Sequence, residues 1–136
     1  MSGPIHALDA HYYTDPKIYE IETNTLFAST WQFACHLLAI ETPGSYICFE
    51  IAGESLFAVR GRDDQVRVFY NVCQHRAHQL LTGTGRAPVI TCPYHAWSYN
   101  VDGTLRAAPN LDVVERVNKA DICLTEVRSE QFLGFL

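Results

Sequence analysis

Two short stretches of this chain each carry one cysteine and one histidine: Cys73-Gln74-His75 and, after sixteen intervening residues, Cys92-Pro93-Tyr94-His95. A buried thiol is an ordinary small core residue, and an isolated histidine is most often a surface or hydrogen-bonded group. Repeated together at hairpin-like spacing and flanked by turn residues, they instead call for a fold in which two loop tips face each other across a metal. Two metal chemistries meet that donor set. Tetrahedral zinc accepts two cysteines and two histidines, although zinc knuckles usually pair like ligands close together. A [2Fe–2S] centre with two thiolates on one iron and two imidazoles on the other suits mixed loops, each loop giving one ligand to each iron.

The other features bound the setting. Five cysteines are an odd number for a disulfide framework. The N-terminus has neither a basic nor an apolar leader region, and no apolar run approaches a membrane span. Both points read as a soluble, cytoplasmic chain whose thiols stay reduced. Ten Lys and Arg against fifteen Asp and Glu give a net charge of −5, without the clustered positive field that nucleic acid or an anionic membrane requires. A length of 136 residues suits one domain, and 28 Val, Ile and Thr with 16 aromatics favour strands.

Asp15 as an N-cap with Pro16 behind it predicts a helix over Thr14 to Phe27, with Ile18, Ile21 and Leu26 on one face. Short β-favouring runs separated by turn residues follow. They predict strands at Trp31 to Ala39, Tyr46 to Ile51, Ser55 to Arg60, Val66 to Asn71, Val89 to Thr91, Trp97 to Asn100 and Thr104 to Arg106. Leu111 to Lys119 reads as a loop or short helix, and Cys123 to Val127 with Phe132 to Leu136 as a last strand pair. Spacing of this kind suggests a small antiparallel sandwich or barrel. Cys35, Cys48 and Cys123 are expected to be buried thiols in strands, and Gly83 and Gly85 to supply positive φ between the metal loops. The final Phe132-Leu133-Gly134-Phe135-Leu136 stops within an apolar run and reads as a cut end.

The stretch NVCQHRAHQLLTGTGRAPVITCPYHAWSYNVDGTL resembles the Rieske domain that opens the large (α) subunit of Rieske non-haem iron oxygenases, the ring-hydroxylating dioxygenase type with its monooxygenase and demethylase relatives. The lead-in from Tyr12 to Asn71 is similar as well. Arg76 directly after His75 matches the oxygenase form of the first loop. The extra loop cysteines of respiratory Rieske proteins are missing, and Trp97 stands where those proteins carry a serine. Ala77 and Ala96 depart from the family, in which glycine is common at both places.

The resemblance implies a mainly β fold: a Rieske-type antiparallel β-sandwich with a small cluster-binding subdomain of two loops, preceded by a short N-terminal helix. Residues 1–40 would form the helix and lead-in strand and 41–136 the Rieske domain, with the cluster loops in 72–100. Cys73 and Cys92 would ligate one iron and His75 and His95 the other. Trp97 would pack over the cluster, Tyr99 would be a candidate donor to a cysteine sulfur, and Arg76 would orient its loop or meet a carboxylate of a neighbouring subunit. His78 reads as a solvated loop residue.

The catalytic domain, with its mononuclear Fe(II), would lie outside this chain, because no histidine follows His95. The implied partners are a reductase or ferredoxin donor and a homotrimer of the full subunit, with or without a β subunit. The implied task is passing electrons for O2-dependent hydroxylation or demethylation of an organic substrate. Two other classes stay open: a free-standing Rieske ferredoxin and a zinc-stabilised structural module.

Overall fold

The computed structural model describes residues 7–111 and 118–136. They fall into two compact units: the chain through Gln32 together with Ile51–Gly53, and Phe33–Glu50 together with Glu54–Leu136.

In the first unit, a helical turn α1 (His11–Thr14) precedes α2 (Pro16–Glu22). The predicted cap is present, since the Asp15 carboxylate accepts from the Lys17 N–H with Pro16 at the first helical position. Thr14 belongs to the earlier turn, and the helix does not remain α to Phe27. Residues Thr23–Phe27 widen into a π-helical turn, closed by Ala28 N–H to the Thr23 carbonyl at 3.1 Å. The cause is a run of hydroxyls. Thr23, Thr25, Ser29 and Thr30 each donate to the carbonyl four residues earlier and compete there with the backbone N–H groups. The shared face does not form a buried stripe, because Ile21 and Leu26 are 60% and 48% exposed.

The second unit holds the sheets. β1 (Ser45–Ile51), β2 (Glu54–Arg60) and β3 (Val66–Tyr70) form the expected meander, flanked by β4 (Thr84–Arg86) and β8 (Glu126–Val127) in the order β4-β1-β2-β3-β8. A three-stranded sheet, β5-β6-β7, is made of Ile90–Thr91, Ser98–Tyr99 and Leu105–Ala107. Among the described residues β1 pairs with β4, β2 with β3, β3 with β8, β5 with β6 and β6 with β7, all antiparallel, so the mainly β antiparallel expectation holds. Phe57 and Phe69 meet at 5.6 Å in the core, and the same core takes in Leu80, Ile90, Cys73, Cys92, Trp97 and Tyr99. The two loops that carry the paired Cys and His therefore stand directly on the packed interior.

Several expectations fail for local reasons. Trp31 to Ala39 is not a strand: Cys35 and His36 make only an isolated ladder with the chain end, and Leu37–Ile40 turns into a 3₁₀ helix capped by the His36 imidazole. Phe132 to Leu136 does not pair with Cys123 to Val127. It folds back on itself through Phe132 and Phe135 and bonds to Cys35, while β8 pairs with β3. β4 lies inside what reads as loop, because Thr84-Gly85-Arg86 has no β-favouring run to announce it. Gly83 has the expected positive φ of 59°. Gly85 does not; a Cβ there would come 2.9 Å from the Tyr46 hydroxyl, so its glycine serves close approach. Cys35 is buried and Cys48 half-buried, but Cys123 is exposed. Most of Leu111 to Lys119 lies outside the described residues.

Candidate metal centre

The two ligand loops share one backbone frame. In the first, Ala77 N–H donates to the Cys73 carbonyl at 2.9 Å and Cys73 N–H to the His78 carbonyl at 2.8 Å. In the second, Ala96 N–H donates to the Cys92 carbonyl at 3.1 Å and Cys92 N–H to the Trp97 carbonyl at 2.8 Å. Each turn needs a left-handed residue four places after its cysteine, and Ala77 (φ 55°) and Ala96 (φ 58°) take those places. This is the physical reason for glycine there. The departure singled out in the sequence thus falls on the two strained positions of the site.

Within these frames the donors sit at two depths. Cys73 and Cys92 are each 2% exposed, on the core. His75 is exposed and His95 half-buried, and their rings meet edge to face with centroids 4.8 Å apart. Desolvation, then the nearby His75, Arg76 and His78, hold His95 below the usual imidazole range, which favours the neutral ring a metal needs. The Trp97 indole is buried and lies parallel to the His75 ring, 4.8 Å away at 9°. Tyr99 is fully buried. Its hydroxyl accepts from Gln74 N–H at 3.0 Å and stands 3.3 Å from Cys73 Sγ, so the hydroxyl proton is available to the sulfur. Burial first, then the bond with Cys73, raises its pKa and keeps that proton in place.

Among the described residues, no three His, Cys, Asp or Glu side chains are grouped to hold a single ion. A tetrahedral zinc site needs four donors converging on one point. With thiols inside and imidazoles outside, Cys73 and Cys92 with His75 and His95 would suit a [2Fe–2S] cluster, which would supply one-electron storage there. Arg76 is exposed and makes no hydrogen bond or ion pair among the described residues. His78 is exposed, its Nδ1 2.6 Å from the Gln79 carbonyl oxygen.

Two residues of the site carry no signal that the spacing pattern reads. Tyr94, 57% exposed, stacks on His95 at 3.7 Å. Asn71, 1% exposed, is bonded on every side.

The family model for the Rieske [2Fe-2S] domain matches residues 30–118. The chain belongs to the Rieske [2Fe-2S] family. Its Rieske domain is 44% identical over 95% of the chain to the carnitine monooxygenase oxygenase subunit of Escherichia coli K12, and 30% identical over 95% to the benzene 1,2-dioxygenase α subunit of Pseudomonas putida. Among solved structures, the quaternary ammonium Rieske monooxygenase CntA in complex with L-carnitine matches with a TM-score of 0.85 at 40% identity, covering 92% of this chain and 36% of that one. The chain spans about a third of the length of the carnitine monooxygenase oxygenase subunits it matches. The Rieske oxygenase resemblance therefore holds, and the cofactor of the family is the [2Fe–2S] cluster.

Proposed function

We propose that this Rieske domain is the electron-transfer part of an oxygenase large subunit, with a lead-in segment over 1–40, a cluster domain over 41–136 and the cluster loops in 72–100. Cys73 and Cys92 would hold the inner iron and His75 and His95 the outer one. The observation that carries the reading is the depth difference: both thiols lie on the core while His75 reaches solvent. A bound cluster supplies a one-electron store whose potential is set by ligand charge and by hydrogen bonds to its sulfurs. The chain's own residues do the rest. Trp97 and Leu80 keep water from the sulfur side, Tyr99 offers its proton to Cys73 Sγ, and the two imidazoles present the path by which an electron leaves.

The donor is a reductase or ferredoxin. The acceptor is the mononuclear non-haem iron of a catalytic domain outside this chain, in a homotrimer of the full subunit, for O2-dependent hydroxylation or demethylation. Relatives at 40–44% identity carry the name carnitine monooxygenase, against 30–34% for the dioxygenase α subunits, which supports a quaternary ammonium compound as the substrate class.

Reconstitution with iron and sulfide tests the reading. The expected product is red-brown, contains equal iron and acid-labile sulfide, and after dithionite gives an EPR signal whose average g lies below the free-electron value. Cys73→Ser or His95→Ala abolishes that signal. A colourless protein that holds zinc overturns it.

A further inference from the structure

The two ligand loops share a turn frame but differ at the neck. The second is closed by a regular ladder, Ile90 opposite Tyr99 and Thr91 opposite Ser98, leading directly into Cys92. The first has no such ladder: below Cys73 there is one isolated bridge, Val72 opposite Gln79. In place of the next rung stands a side chain. The Asn71 amide oxygen accepts from Leu80 N–H at 3.1 Å and Leu81 N–H at 2.9 Å, and its NH2 donates back to the Leu81 carbonyl at 2.8 Å. The same NH2 faces Ser55 Oγ at 3.3 Å and Cys48 Sγ at 3.9 Å, tying the neck to β2 and β1. A side-chain amide offers the same donor and acceptor as a peptide group. At 1% exposure each of these bonds is formed away from water, where an unpaired N–H is costly.

We propose that Asn71 is the positioning residue of the first ligand loop, its side-chain amide acting as the missing ladder rung that keeps Cys73 and His75 in register with Cys92 and His95. This rests on the reading that those four residues hold the cluster. Outer-shell partners of this kind typically change metal affinity about 10- to 100-fold when removed.

Asn71→Leu keeps the volume and removes both the donor and the acceptor of the rung, whereas Asn71→Asp keeps the accepting oxygen but loses the donor to the Leu81 carbonyl and buries a carboxylate beside it. In the iron–sulfur-loaded chain, Asn71→Leu is expected to speed iron loss to a chelator about 10- to 100-fold and to broaden the EPR signal, and Asn71→Asp to lose iron faster than wild type as well. Hydrogen exchange of the Leu80 and Leu81 amides should rise in Asn71→Leu while the amides of Val66–Tyr70 keep their protection. That arm reads the clamp in the iron-free chain too. Should Asn71→Leu fail to fold, Asn71→Ser, too short to reach both N–H groups, carries the same expectations. In either variant, a lowered thermal midpoint with wild-type iron retention, linewidth and local exchange would overturn the proposal. A Rieske signal that survives Cys73→Ser refutes the ligand assignment instead, and the exchange arm still decides the clamp.

Discussion

Ala77 and Ala96 hold φ values of 55° and 58° at equivalent places in the two loops. For an L-residue with a Cβ, the left-handed region costs about 1–2 kcal/mol. Glycine removes that cost and returns about 0.4–1 kcal/mol of unfolded-state entropy. Each Ala→Gly change is therefore expected to stabilise the chain by about 0.5–1 kcal/mol, seen as a higher urea midpoint at unchanged slope. An unchanged or lower midpoint would show that the alanine methyls make compensating contacts. The sulfur side of the site gives a second prediction at this scale. The Tyr99 hydroxyl, fixed by the Gln74 N–H, can donate to Cys73 Sγ, and such a bond favours the more negative reduced state. Tyr99→Phe should lower the midpoint potential by on the order of 50 mV, about a tenfold change in the reduction equilibrium. A rise, or no shift, would mean that the proton points elsewhere.

At the scale of elements, the hairpin connecting β2 and β3 shows what a pattern can and cannot reveal. Gly61 to Asp64 reads as a turn because of its residue types, and the turn is there, with Asp64 at φ 63° and Gly61 N–H bonded to the Gln65 carbonyl. The Asp63 carboxylate that braces it is set by register: it accepts from Arg67 across the turn and from Gln65 N–H. Chiefly the Arg67 bond lowers its pKa from 3.8 to about 2. A depressed carboxylate stabilises fully above its unfolded value and loses that contribution as pH falls through its folded one. The difference in thermal midpoint between wild type and Asp63→Asn should therefore be constant above about pH 4 and shrink toward pH 2. A difference independent of pH would assign the effect to turn geometry. The same contrast explains the rest of the fold. β1 to β3 and the pairing of the two Cys/His loops are legible because β-branched runs, turn dipeptides and Cys/His spacing are local signals. The lead-in strand and the final strand pair were not, because Cys35, His36 and Phe135 meet only through distant backbone pairing, which no local run specifies. Asn71 was missed for a related reason: a polar residue ending a β run looks like the start of a turn, and only the folded neck shows it replacing a rung.

For the molecule as a whole, the net charge of −5 conceals a segregation. No Asp or Glu occurs from residue 65 to residue 101, a stretch that includes both ligand loops, Arg67, Arg76 and Arg86; all fifteen acidic residues lie outside it. At the loop tips His75, Arg76 and His78 are exposed, with Tyr94 alongside. With a Debye length of about 10 Å at 0.1 M salt, a small redox reagent senses the charge near its point of contact more than the total. An anionic outer-sphere oxidant such as ferricyanide meeting the imidazole edge should thus be attracted, and its rate with the dithionite-reduced chain should fall as salt is added. Arg76→Gln should flatten that dependence without altering the EPR signal, since Arg76 makes no hydrogen bond or ion pair among the described residues. A rate that instead rises with salt is what a uniformly acidic surface dictates, and would place electron exchange away from the His75 and His95 face.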